Sequence, residues 1–545
     1  MRSAGWTARR AAPIIRVSID RPNLLALMRL RPRPDPMLHR LPPWKLALAI
    51  VVLVVVTRLP AVGHRDSIND ESYYSVVANE LLHGGLLYRD AVDRKPPLLF
   101  GVYWGIYRVT GFPNWPALHL VAVGWTLATM ALLYLLGRRL ATPLAGVIAA
   151  VLYGAFLPFE TLSNLAFNGE MLMNLPLVAA VLVAFRPNRR PLGLDMMLAG
   201  SLVALAFLLK QPAGIVLVPL AVYCLHPGYR RSRGFGALTA WWHAAALGLG
   251  FLLVMAEMAG LLHRWGILAD AWYWSVIDHD IPHGPGSLFF WRAAARKGGL
   301  FFLFCGPLLV GAWYSLRFRA ERWRGLEAER DALIALLLVS AVGTAASGRF
   351  FQHYFLQVMP PLALLAAPAL AELWQSEDLV PSRRRLRRLL VGWTALSVLV
   401  SFVIEAYDGL LKPPAVRPAV AWLAAHAAPG DRLFVWGQDP RIYLATGTRP
   451  ASRYIAAFPL TGYVFGIPES WDPNFDTSHR IAPGAWDTLA QDFRRHPPKY
   501  IVDTDAARRV PRYPILHFPY LAGLIETHYV LRFRGSDGLV YERRE

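Results

Sequence analysis

Up to residue 405 the chain alternates between apolar runs and short polar loops, and arginine clusters fall in every second loop. The runs lie at about 44–62, 116–136, 143–159, 170–185, 194–209, 213–226, 238–262, 299–316, 330–346, 354–373 and 389–405. A helix needs about 20 apolar residues to cross the hydrocarbon of a bilayer. Lipid offers the backbone no hydrogen-bond partners, so spanning segments are helices or closed barrels. The pattern predicts an α-helical polytopic membrane protein with about eleven transmembrane helices. The stretch 98–109 is apolar but too short to span, and is read as a re-entrant or interfacial helix.

The arginines set the orientation. Arg138-Arg139, Arg186 to Arg190, Arg230 to Arg233, Arg317 to Arg324 and Arg383 to Arg388 fall between alternate runs. Basic loops are retained on the cytoplasmic side, so one orientation satisfies all five. It places the N-terminus inside. Residues 1–43, rich in Arg and Pro, lack the apolar core of a cleavable signal and read as a basic cytoplasmic tail. A net charge of +20 would otherwise point to nucleic acid. The clustering of Arg residues in short loops between apolar runs is the positive-inside pattern instead, and that reading rejects nucleic acid. Cys224 and Cys305 both sit inside apolar runs, so no disulfide framework is expected.

An odd number of spans puts residues 406–545 outside. Composition changes sharply there. Short strand-like runs appear at Arg432–Trp436, Tyr500–Asp503 and Tyr529–Phe533, separated by turn signals such as Pro429-Gly430 and Ser536-Asp537-Gly538. Pro418–His426 and Trp486–Phe493 read as helices. The segment is expected to be a soluble α/β domain. The whole chain then divides into a tail (1–43), a membrane domain (44–405) and an outer domain (406–545).

Ionisable residues gather at the outer edges of the runs. The first outer loop holds Asp70-Glu71, followed by Tyr73, Tyr74, Val77, Ala78, Leu81 and Leu82 at helical spacing. An amphipathic helix along the membrane surface follows, with both acids in its first turn, where the helix dipole favours negative charge. Simple capping of that helix is the competing reading. Lys95 precedes Pro96-Pro97, which fix the backbone at re-entry to the membrane. Its ammonium could hold a phosphate or merely snorkel. Lys210 poses the same choice. Asn168-Gly169-Glu170 opens a span, where a carboxylate is costly unless it faces a cavity or partner. Glu170 could bind a sugar hydroxyl, a divalent metal or Lys95. Arg349 and His353 are four apart and would share one face of a helix starting there. Arg349 could hold a phosphate, and His353 could ligate a metal, donate a hydrogen bond or simply pack. His279 and His283, with Asp278 and Asp280, lack the spacing of a standard zinc motif. No phosphate-binding glycine loop occurs, so nucleotide-sugar use has no support.

The first outer loop, with Asp70-Glu71, Tyr74, a Leu-Leu-His-Gly turn and Lys95-Pro96-Pro97, resembles that of polyprenyl-phosphate-sugar glycosyltransferases. These include bacterial relatives of protein O-mannosyltransferases and the aminoarabinose transferase of lipid A. Gly348-Arg349-Phe-Phe-Gln-His353-Tyr354 and Asn168-Gly169-Glu170-Met171 match two further segments common in bacterial members. Trp436-Gly437 and Arg453-Tyr454 loosely match the tail of some. The resemblance implies the GT-C fold and an inverting transferase in the bacterial inner membrane. It implies Asp70 as the base that activates an acceptor hydroxyl, with Glu71 orienting or binding substrate. It implies Lys95 as a contact to the donor phosphate, and Arg349 and Lys210 are candidates for further contacts to it. Tyr74, Asn168, Glu170 and His353 are candidates for sugar, acceptor or metal. The partners implied are a polyprenyl-phosphate sugar, membrane lipids, and an acceptor that is lipid, glycan or protein. No cofactor is certain beyond a possible divalent metal. A transporter or flippase of a lipid-linked sugar is the alternative, although it predicts charges at mid-span. A non-catalytic envelope scaffold is the other.

Overall fold

The computed structural model describes residues 43–545 apart from 65, 69, 187–192, 279–283, 376–379, 414, 429, 464–475 and 509–511. His279, Asp280 and His283 lie outside the described residues.

Every apolar run read from the sequence lies in helix. The main helices are α1 (Pro43–Val62), α2 (Glu71–Leu82), α3 (Pro97–Thr110), α4 (Trp115–Leu140), α5 (Pro143–Phe156), α6 (Gly169–Ala184) and α7 (Leu194–Leu209). They continue with α8 (Leu217–Leu225), α9 (Ala237–Arg264), α10 (Leu288–Phe318), α11 (Glu327–Ala345), α12 (Met359–Gln375) and α13 (Pro381–Ala406). By length and composition, five helices can cross a membrane, or six if a bent pair near residue 226 counts as one span. Four shorter apolar helices join them: Ala47–Val62, α5, α6 and α7.

Burial separates the helices into inner and outer. The stretch through α12 is 89% buried, whereas the apolar windows of α9 and α13 are 22% buried. Leu252 and Leu253 on α9, and Leu399 and Val403 on α13, are exposed. Helices that keep apolar residues on their outer face have a surface suited to hydrocarbon rather than water. Helices α7 and α9 cross closely enough that a Cβ on Gly200 would collide with the Leu247 carbonyl, and one on Gly250 with that of Met197. Small residues at such crossings let helix backbones touch.

Beyond α13 the chain forms a five-stranded sheet of order β2-β1-β3-β5-β4, with flanking helices. The strands are β1 (Arg432–Trp436), β2 (Arg449–Pro450), β3 (Tyr500–Asp503), β4 (Tyr529–Gly535) and β5 (Gly538–Arg543). The first three are parallel neighbours, and β4 and β5 form an antiparallel hairpin on β3. The helices are α14 (Pro418–His426), α15 (Arg441–Thr446), α16 (Ala485–Arg495) and α17 (Pro519–His528). Strand β3, one of the short strand-like runs, is central and buried throughout, its final Asp503 included.

Polar contacts tie the segment that carries α2 to the sheet region. Buried Glu80 on α2 accepts a two-pronged pair from Arg449, at 2.8 Å from Nε and 2.6 Å from Nη2, with Arg432 at 3.6 Å. The Val92 amide donates to the Arg453 carbonyl at 2.9 Å.

A cavity between the first outer loop and the sheet

Asp70 occupies the N-cap position of α2 but makes no side-chain cap bond. The capping alternative therefore does not account for its carboxylate. It faces a cavity of about 570 Å³ whose wall also holds Tyr74, Lys95, Arg349 and His353. The Tyr74 hydroxyl donates to Asp70 Oδ2 at 3.3 Å. The Lys95 ammonium lies 6.0 Å from the centroid of the Tyr74 ring and 3.9 Å from Asp93 Oδ1. Burial by itself raises the Asp70 carboxyl, but Lys95, His353 and Lys210 outweigh it and hold the group below the ordinary 3.8. A carboxylate kept ionised beside a cation, with an open cavity before it, is equipped to accept a proton.

Glu71, the adjacent acid, points elsewhere. It is fully buried and is not among the cavity-lining residues. Its Oε2 accepts the Ile68 amide at 2.8 Å and its Oε1 the Phe167 amide at 2.7 Å. Burial pushes its carboxyl up to about 7 against the pull of those amides and Arg58. This side chain fixes the start of α2 to the segment before α6, and so fixes Asp70. Arg58 braces the same region from α1, donating to the Leu165 carbonyl at 2.7 Å.

Lys210 and Glu170 form one ion pair at 2.9 Å, behind the cavity wall rather than on it. The Lys210 ammonium also lies 5.5 Å from the Tyr354 ring centroid. Of the partners open to Glu170, Lys95 is not the one found: Lys210 pairs with it, and Lys210 acts on Asp70 through its charge, without touching the cavity. Asn168 caps α6, its side chain accepting from the Met171 amide at 3.1 Å. Arg349 and His353 do not share a helix face: the chain turns through Gly348 and Phe350 at φ +67° and +50°, and a 3₁₀ turn begins only at Gln352. Left-handed backbone at a bulky residue such as Phe350 is strained, and such strain gathers where side chains must be aimed. Both residues still line the cavity. Among the described residues, no group of three or more His, Cys, Asp or Glu side chains is placed to hold a metal ion.

The sequence reading left out one wall. Gln438, Asp439, Pro440, Arg441, Phe458 and Tyr463, all beyond residue 405, line the same cavity. Asp93 and Arg94 also line it, with Arg94 held by Asp278 at 2.7 Å.

Comparison with known proteins gives this geometry a context. Residues 94–258 match the family model described as dolichyl-phosphate-mannose-protein mannosyltransferase. That match takes in Lys95, Asn168, Glu170 and Lys210. It leaves Asp70, Arg349 and His353 outside. Over the whole chain, the fold is similar to that of ArnT from Cupriavidus metallidurans, with a TM-score of 0.57 at 16% identity, over 91% of this chain and 97% of that one. The same ArnT has been solved bound to undecaprenyl phosphate (TM-score 0.54). The oligosaccharyltransferase AglB from Archaeoglobus fulgidus, solved with an inhibitory peptide and a dolichol-phosphate, gives a TM-score of 0.52 at 14% identity. That likeness covers 92% of this chain and 74% of that one. The fold implied by the resemblance, GT-C, is therefore the fold found. A comparison with curated protein sequences gives no match.

Proposed function

We propose that this protein is an integral-membrane glycosyltransferase that uses a sugar carried on a polyprenyl phosphate. The observation that carries the reading is the single cavity lined by Asp70, Tyr74, Lys95, Arg349 and His353. In the reaction, an acceptor hydroxyl attacks the anomeric carbon of the donor. The bond from that carbon to the phosphate oxygen breaks, and the lipid phosphate leaves with the electron pair. The hydroxyl proton passes to the Asp70 carboxylate. Lys95 and Arg349 stabilise the charge gathering on the departing phosphate, as preorganised cations in a shielded site do well. A single displacement inverts the anomeric centre. Tyr74 holds the base, Glu71 anchors its backbone, and the Lys210–Glu170 pair adds field from behind.

The fold similarity to proteins solved with undecaprenyl phosphate and dolichol-phosphate supports a lipid-phosphate donor. The acceptor is a lipid, glycan or protein on the outer face of a bacterial cytoplasmic membrane. About eleven spans, a cytoplasmic N-terminus, and an outer domain from residue 406 complete the proposal. Asp70→Asn tests it. Loss of a positioned general base lowers turnover roughly 100-fold or more. Mass spectrometry of lipids from cells expressing the variant should show a polyprenyl-phosphate sugar accumulating and one glycan missing. Near-wild-type product from Asp70→Asn would end the assignment of the base.

A further inference from the structure

One part of the cavity wall comes from the sheet domain, and the donor chemistry proposed for Lys95 and Arg349 makes no use of it. Strand β1 ends at Trp436, and residues 437–440 turn from it into α15. Open α/β sheets bind ligands outside the carboxyl ends of their parallel strands, and this turn follows such an end, with β3 beside it. Gly437 makes the turn at φ +134°, and a Cβ there would collide with the Thr504 hydroxyl, so the turn is tightly seated on the loop after β3. Asp439 is held from two sides. Arg417 Nη2 donates to its Oδ2 at 2.6 Å, and Arg441 Nε donates to its Oδ1 at 2.8 Å. Its carboxylate is therefore fixed at the cavity wall. Gln438, its neighbour in the chain, also lines the cavity, and the Gln438 carbonyl accepts from the Tyr73 hydroxyl of α2 at 3.4 Å. Aromatic rings of Tyr73, Phe458 and Tyr463 complete this part of the lining.

We infer that the turn 437–441 is an acceptor subsite built to hold a sugar. The inference rests on the transferase reading and names the acceptor class for the same cavity. A sugar ring presents vicinal hydroxyls, which a fixed carboxylate and an amide can receive together. It also presents weakly positive C–H faces, which match the negative faces of aromatic rings. A lipid chain would need an apolar wall, and this one carries Gln438, Asp439 and Arg441. The hydroxyl that reacts belongs to the sugar seated here, which brings it toward Asp70 across the cavity while the donor phosphate sits by Lys95.

The test uses the full-length protein in nanodiscs and in cells. Gln438→Ala and Asp439→Asn are compared with Lys95→Ala. Each is assayed for undecaprenyl phosphate affinity and for the glycan product. The expected result is a roughly ten- to hundredfold fall in product for Asp439→Asn, the range for losing a hydrogen bond to a charged group, and a roughly two- to tenfold fall for Gln438→Ala, the range for a neutral one. Undecaprenyl phosphate affinity should stay within about twofold of wild type in both, whereas Lys95→Ala weakens it. The residue missing from the Asp70→Asn strain should be one attached to a sugar hydroxyl. Three results overturn the inference: full product from both variants, lipid-phosphate affinity lost as in Lys95→Ala, or attachment to a serine or threonine side chain. Failure of the transferase reading looks different: wild-type product from both Asp70→Asn and Lys95→Ala, with no undecaprenyl phosphate bound by the wild type. That outcome removes the inference together with the reading beneath it.

Discussion

At the scale of single residues, the neighbours Asp70 and Glu71 divide the work of one acidic dipeptide. One faces the cavity beside a cation, and the other faces inward against two backbone amides. Their protonation separates in the same way. Asp70 lies below 3.8 and Glu71 is pushed up to about 7. A group with a depressed value stays ionised as pH falls, so the base form of Asp70 persists throughout the range from pH 7 down to about 5. A pH profile of kcat/KM should thus show no acid limb from Asp70 within that range. A limb near pH 7 that vanishes in Glu71→Gln belongs to the anchoring residue. One that persists in Glu71→Gln with a midpoint above 5 would contradict an ionised Asp70 in the free enzyme. The dipeptide was visible in the sequence, and so was Lys95, because loop position and prolines mark them locally. The division of roles was not, since the partner that turns Glu71 inward, Phe167, is 96 residues away.

At the scale of elements, α2 is the piece that everything else positions. Glu71 pins its first turn to the segment before α6, and Glu80 pins its last turn to β1 and β2 through Arg432 and Arg449. The amphipathic spacing of residues 73–82 was enough to place this helix, and strand-like runs were enough to place β1, β3 and β4. Both signals are periodic and local. The clamp between them joins residues 369 apart, and no periodicity reports such a pairing. The same limit explains why Trp436-Gly437 is legible as a family match but the turn 437–441 is not legible as part of the site: in sequence it is an ordinary polar connection, and only the sheet brings it to the cavity that holds Asp70. Glu80→Gln should loosen the clamp. Hydrogen bonds to charged groups contribute about 1.5–3 kcal/mol each, and the arginines are partly exposed, so a loss of about 2 kcal/mol in stability is expected after screening. Hydrogen exchange should then rise across residues 71–82 and 449–450 together. Unchanged protection of α2 in Glu80→Gln would show that the helix is held without its last-turn clamp.

At the scale of the whole molecule, the clamp also constrains topology. Because Glu80 and Arg449 touch, the segment that carries α2 and the sheet domain share one side of any membrane that the helices cross. The arginine clusters require the opposite side for the loop at Arg230 to Arg233 if basic loops stay in the cytoplasm. Five helices, α9 to α13, separate that loop from the sheet domain; four of them are long and apolar enough to cross, α11 being the exception, and the two regions lie on opposite faces, as eleven spans require, only when α11 crosses as well. Ser232 and Thr527 are both exposed, one in each region. Both native cysteines are buried, which leaves engineered thiols as the accessible ones. In intact cells with a permeabilised outer envelope, a membrane-impermeant maleimide should label Thr527→Cys and leave Ser232→Cys unlabelled until the cytoplasmic membrane is opened. Labelling of both from outside would mean that one of α9 to α13 does not cross, and re-entrant packing of α11, which begins with Glu327 and Glu329, would be the first place to look. Labelling of Ser232→Cys alone would invert the molecule. The cavity would then face the cytoplasm, where nucleotide sugars are plentiful, and the case for a lipid-linked donor would lose the argument from compartment and stand on the site alone.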